Sequence, residues 1–171
     1  MSTDRISVVV EEPAWKKSGV TPLCLKSAAR RALEAGSAHN HPTAAKTRDR
    51  ANQNGRELTL LLAGDERLRF LNVRFRGKDS ATNVLSFPAP GNAGGYLGDI
   101  AIAFGVVSTE AARSGVSLEA RTLHLVTHGV LHLLGYDHLH ARQARIMENL
   151  EIAILHQLGI ADPYARGALA G

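Results

Sequence analysis

The chain has 171 residues, 44% of them apolar and 21% charged, with 20 Lys and Arg against 16 Asp and Glu for a formal charge of +4. That balance fits one globular domain and excludes a disordered chain, while the mild basic excess permits a polyanionic partner without demanding one. A single cysteine, Cys24, excludes a disulfide scaffold, and no apolar run reaches the length of a signal peptide or membrane span, so the expected address is the cytoplasm.

Residues 6–10 are a β-branched run closed by Glu11-Glu12-Pro13, which predicts a first strand. Trp15 follows and is assigned to the core. Thr21 caps a helix with Pro22 at its first position, and an apolar helical period carries it to Ala35, where Gly36 is expected to end it. Over residues 37–55 the pattern gives way to a polar surface insertion with no apolar stripe. His39 and His41 within it are not read as a second metal site. Residues 57–62 predict the second strand.

Asp65 starts a helix whose Leu68, Leu71 and Phe75 are expected to face the core. Arg67, Arg69, Arg74 and Arg76 occupy its other faces, with Lys78 just beyond. These five cations within twelve residues form the densest positive patch in the chain. Such a run is ordinarily a solvated face; contact with nucleic acid is the functional reading beside it. Residues 84–87, closed by Pro88, and residues 98–103 read as an antiparallel hairpin across a Gly/Pro loop. Ser108 is expected to cap a short helix to Arg113, broken by Gly115, and Ser117 to cap a long one. Residues 140–158 form a last amphipathic helix, Gly159 ends it, and a frayed tail follows from Asp162.

The long helix carries the chemistry. His128 and His132 lie four residues apart, so their rings share one face. Gly135 lets the chain turn out of the helix and bring His138 back towards them. Three neutral imidazoles plus a water make the tetrahedral shell of a catalytic divalent ion. His124 lies a turn earlier, but three ligands at four-residue spacing would span about 12 Å of axis, too far to converge. His124 therefore reads as a neighbour of the ligands. Asp137 is expected to orient a ligand imidazole. The spacing is that of the long zinc-peptidase signature, except that Gly129 stands where a peptidase needs its Glu general base.

Three blocks resemble the bacterial YbeY endoribonucleases. The most specific is His128-Gly129-x-Leu131-His132-Leu133-x-Gly135-Tyr136-Asp137-His138. The second is Leu71-Asn72 with Phe75-Arg76-Gly77-Lys78-Asp79 and Thr82-Asn83-Val84-Leu85-Ser86-Phe87-Pro88. The third is Gly98-Asp99-Ile100 with Ile102. The resemblance implies an α/β fold of α+β character. It would be a single domain over residues 1–162, a four-stranded mixed sheet with about five helices and a metal site at a bent helix. The insertion lies near 37–55 and a tail covers 163–171.

The resemblance further implies metal on His128, His132 and His138, with His128, His132 and Arg76 as the catalytic groups. Arg67, Arg69, Arg74 and Lys78 would join Arg76 in binding RNA. Zinc is the implied ion, although three imidazoles suit nickel or iron nearly as well. The implied activity is single-strand-specific RNA cleavage in ribosomal RNA maturation, at the 16S 3′ end, and in ribosome quality control. Its partners would be ribosomal RNA and the small subunit, with neither DNA nor membrane. Three alternatives stay open at this point: a zinc peptidase, against which Gly129 argues, a metal hydrolase of another substrate class, and an RNA- or ribosome-binding assembly factor with a structural metal.

Overall fold

A computed structural model describes residues 3–38, 55–91 and 94–165. The polar insertion, with His39 and His41, lies almost wholly outside the described residues. The elements are β1 (Arg5–Val10), a 3₁₀ turn (Pro13–Lys17), α1 (Pro22–Ala38), β2 (Glu57–Ala63), α2 (Asp65–Arg76), β3 (Val84–Pro88), β4 (Tyr96–Ala103), α3 (Phe104–Ser114), α4 (Leu118–Leu133) and α5 (Ala141–Gln157). Four strands pair in the order β1-β2-β4-β3. The first three run parallel, and β3 returns antiparallel to β4 as an edge strand, so the sheet is mixed.

Alternation along the strands divides the core in two, because successive side chains point to opposite faces. Leu58, Leu60, Leu62, Ile100 and Ile102 pack with Leu25, Leu33, Val126, Val130, Met147 and Ile154, which places α1, α4 and α5 on one face. Ala63, Ala101, Ala103 and Leu85 turn the other way and pack with Leu68 of α2. Trp15 is buried where the sequence put it, its indole N–H donating to the Ala63 carbonyl at 2.9 Å and its ring edge-on to Phe104. Among the described residues no helix is long and apolar enough to cross a membrane.

Several expectations need correction. Gly36 does not end α1, which continues to Ala38. A Cβ at position 36 would sit 2.6 Å from Leu134 Cδ1 and 3.0 Å from Leu131 Cδ2, so the missing side chain serves close approach of α1 to α4. Ser108 caps nothing: the chain passes from β4 into α3 at Phe104 without a loop, leaving Ser108 inside the helix. Phe75 is 60% exposed, not buried. Asn72 takes the inward place instead, donating to the Ser80 carbonyl at 2.9 Å and so tying the loop after α2 to the helix.

The α1–α4 contact yields a direct test. Leu131 and Leu134 are fully buried and have little room to give. Gly36→Val should therefore lower unfolding free energy by about 1–3 kcal/mol, the usual penalty for overpacking. Urea denaturation checks this; an unchanged midpoint would show that the two helices do not depend on that close approach.

Candidate metal centre

Ser117 opens α4 by accepting the Ala120 amide at 3.0 Å, as a capping serine should. The helix ends in a Schellman arrangement: Gly135 N–H donates to the His132 carbonyl at 2.9 Å and Tyr136 N–H to the Leu131 carbonyl at 3.0 Å. Gly135 makes this possible with φ of 96°, a left-handed conformation that a side chain disfavours. The reversed chain is then pinned by the Tyr136 hydroxyl, which donates to the Gly36 carbonyl at 2.6 Å. His138 is thereby returned to the end of the helix it has just left.

The three imidazoles converge. One nitrogen from each of His128, His132 and His138 falls within 4.8 Å of the others, and the ring centroids lie 4.5 to 5.5 Å apart. Their hydrogen bonds settle the tautomers. His128 Nδ1 lies 2.5 Å from Glu151 Oε1, and His132 Nδ1 lies 2.9 Å from the Tyr136 carbonyl. A carboxylate and a carbonyl can only accept, so both Nδ1 atoms donate and both Nε2 atoms carry free lone pairs. Those lone pairs face each other at 2.9 Å, an arrangement that a shared cation relieves. A histidine-based metal-binding site is therefore present, and the donor set fits a divalent transition metal.

Protonation states agree with that use. Burial, reinforced by the neighbouring His128 and His138, pushes His132 down to about 4, so it is neutral and able to ligate near pH 7. Glu151 has almost no surface in water. Burial alone would raise its pKa, but hydrogen bonds from His124 and His128, the nearby His128 ring and the Tyr164 hydroxyl outweigh it and hold the carboxyl at about 2.

Glu151 and Tyr164 are functional neighbours that the sequence reading missed. Glu151 lies on the buried stripe of α5 with Met147, Ile154 and Leu155. A carboxylate on an apolar stripe is the signal that could have found it. Tyr164 belongs to the stretch expected to fray; instead its backbone N–H is held by Asp162 Oδ1 at 2.8 Å and its hydroxyl donates to Glu151. Both line a cavity of about 240 Å³ with His128, His138 and Glu148.

The other expected residues fall in distinct places. His124 is buried one turn above His128. Its Nδ1 accepts from Arg121 at 3.1 Å, leaving Nε2 to donate to the Tyr164 hydroxyl oxygen at 3.4 Å, with Glu151 Oε2 3.7 Å away. Arg121 is held by Glu110 at 2.7 Å, and Glu110 also accepts from Asn83 at the start of β3. Asp137 does not reach a ligand in the described contacts: it accepts the Leu139 amide at 3.2 Å and shapes the turn around His138. The orienting task expected of it is taken by Glu151, which approaches across the helix interface, whereas neighbours in sequence point apart.

Arg76 is anchored to the edge strand by donating to the Ser86 carbonyl at 3.0 Å. Ser86 pairs with Ile100, and Ile100 lies directly under Gly129, within 3.0 Å of where a Cβ would be. The Arg76 guanidinium thus meets the sheet one strand away from the helix turn that carries His128 and His132. Arg67 and Arg69 are exposed and paired with Glu11 and Asp79 at 2.7 and 2.6 Å. Arg74 stacks on Phe75, and Lys78 follows the left-handed Gly77 that closes α2.

Two measurements test this centre. Glu151→Gln should weaken metal binding by about 10–100-fold, the usual cost of losing a partner that orients a ligand. His128→Ala and His138→Ala should abolish stoichiometric binding, and His124→Ala should keep most of it; elemental analysis and competition with a chelator read all four. Chelated protein should also lose stability as pH falls from about 6.5 to about 4. In that window the unfolded chain takes up a proton at position 132 that the folded chain refuses. Denaturation at pH 7 and pH 5 should differ less in His132→Ala than in the parent chain.

A family model described as Endoribonuclease YbeY matches residues 27–159. The chain is 43% identical over 164 residues to an endoribonuclease YbeY of Rhodopseudomonas palustris, covering 92% of this chain and 80% of that one. It is 49% identical over 107 residues to an endoribonuclease YbeY of Maricaulis maris, covering 63% and 67%. A solution structure of TM1509 from Thermotoga maritima shares the fold, with a TM-score of 0.54 at 21% identity over 88% of this chain and 87% of that one. A buried Gly129 between two converging imidazoles, and the motifs on either side of β3, are thus accounted for together: the chain belongs to the YbeY endoribonuclease family.

Proposed function

We propose that this protein is a metal-dependent endoribonuclease that cleaves single-stranded RNA in ribosomal RNA maturation, with His128, His132 and His138 as ligands and Arg76 as the cation at the scissile phosphate. The observation that carries the reading is the pairing of three oriented imidazoles with an arginine fixed to the adjacent sheet edge. The donor set suits Zn²⁺.

Cleaving a phosphodiester requires relief of charge on the phosphoryl oxygens. A divalent ion supplies Lewis acidity and lowers the pKa of a water when bound. The chain supplies the rest. Glu151 and the Tyr136 carbonyl hold the two helix imidazoles in their metal-binding tautomers, which removes reorganisation from the reaction. Arg76 offers a fork of donors that can grip a phosphate oxygen more tightly as charge builds, and the Ser86 carbonyl limits how far it can swing. Glu151 is buried and committed to its donors, so its part is orientation and not proton abstraction from a substrate.

A peptidase reading has no support in this arrangement. Position 129, where such an enzyme carries its general base, faces into the sheet against Ile100 and has no space for a carboxylate. Family membership and the basic run over residues 67–78 support ribosomal RNA and the small subunit as the partners.

Metal-replete protein should cleave a defined single-stranded RNA, and both chelation and His132→Ala should abolish cleavage. Arg76→Ala should lower the single-turnover rate at saturating RNA by about 10²-fold or more while keeping its metal. Arg67→Ala and Arg69→Ala should mainly weaken binding and flatten its salt dependence. If Arg76→Ala cleaves at the normal saturated rate with its metal in place, its role is confined to binding.

A further inference from the structure

We infer that the exposed Phe75, beside Phe87 and between Arg74 and Arg76, is a stacking platform for an unpaired base of the RNA, and that it favours single strands over duplex. The inference rests on the endoribonuclease reading and adds a specificity residue to it.

Only Leu68 and Asn72 of α2 are buried. Phe70, Val73 and Phe75 remain 55%, 45% and 60% exposed on a helix of 12 residues. Phe70 and Val73, three positions apart, share one face of the helix, whereas Phe75 lies on another, against the edge strand, so the three do not form a single patch. Phe75 is the one nearest the chemistry. Its ring meets Phe87 edge-on at 5.3 Å between centroids. Phe87 follows Ser86, the residue whose carbonyl receives Arg76. Arg74 lies 5.7 Å from the Phe75 centroid. One aromatic pair and two guanidinium groups therefore gather on the outer strand of the sheet, and Ser86 is one strand spacing, about 4.8 Å, from the strand beneath Gly129.

The charges choose the occupant. Arg74 and Lys78 have no carboxylate partner among the described residues. A second copy docking through this face would set the arginines of one molecule against those of the other, which is unfavourable. A polyanion with flat faces to offer satisfies both features: phosphates meet the cations while a base stacks on the ring. Every base has such a face, so the platform is indifferent to sequence. Duplex RNA keeps those faces stacked inside the helix and gains nothing from Phe75.

The test is binding of a labelled, uncleavable 2′-O-methyl oligoribonucleotide, single-stranded and as a duplex, with cleavage of the unmodified strand followed in parallel. Phe75→Ala should weaken single-strand binding by about 10-fold and leave duplex binding and the salt slope unchanged. Phe75→Leu, which keeps apolar bulk without a π face, should behave like the alanine variant, and Phe75→Trp like the parent chain. Metal content and thermal unfolding, compared in all variants, should match because the ring is mostly exposed. If the parent chain cleaves RNA but Phe75→Ala binds single strands as tightly, or loses both forms alike, the platform is wrong and the nuclease reading stands. A parent chain that neither binds nor cleaves RNA overturns both. Concentration-dependent dimerisation lost in Phe75→Ala, with RNA binding untouched, would assign the face to a second copy and also overturn the inference.

Discussion

A carboxylate with almost no surface in water is the constraint around which the metal end of this molecule is built. Glu151 faces His128, His124 and Tyr164, and among the described residues no arginine or lysine pairs with it. A charge in that position is tolerable only when its lone pairs are filled by donors. Meeting that demand fixes much else: α5 must cross α4 at the level of His128, the chain after Gly159 must return to present Tyr164, and His128 must keep its proton on Nδ1. The same bond that satisfies Glu151 aims the free nitrogen of His128 at the metal position. Charge satisfaction and metal preorganisation are one interaction viewed from its two ends.

The second imidazole is set by backbone rather than charge. His132 donates to the carbonyl of Tyr136, a residue whose place depends on the left-handed turn at Gly135 and on its own hydroxyl bond to Gly36. The close α1–α4 contact therefore does more than pack the core. It holds the turn that orients one ligand and delivers another. A small change in how the two helices meet would be felt at the metal before it was felt in the sheet.

On the opposite face α2 works differently. It is anchored by Leu68, by Asn72 and by the Asp65 carboxylate on the Val106 amide at 3.0 Å, and leaves its aromatic and cationic residues outside. The edge strand β3 joins the two regimes, since α4 packs over one face of the sheet beside it while Phe75 and Arg76 lean on its outer side. An antiparallel edge strand with an unpaired side is a liability in most sheets. Here Arg76 occupies one of its carbonyls and the Phe75–Phe87 pair covers part of its flank.

The sequence by itself determined most of the elements and the three histidines that could hold a metal, because both depend on local rules. Strands at β1, β2 and β4, the Ser117 cap, the turn at Gly135 and the His128/His132/His138 spacing are written in neighbours three or four residues apart, and the structure keeps them. Motif resemblance carried the family and singled out Arg76 as a candidate. Tertiary structure alone decided what depends on residues far apart in the chain. Gly36 reads locally as a stop, yet its lack of a side chain answers to Leu134, almost a hundred positions away. Phe75 reads as core until the sheet turns out to have room for Asn72 and not for it. Asp137 sits next to a ligand in sequence and bonds to the turn, whereas Glu151, on another helix, bonds to the ligand. Periodicity reports which face of an element is apolar; only packing reveals which charged residue on that face has found its partners.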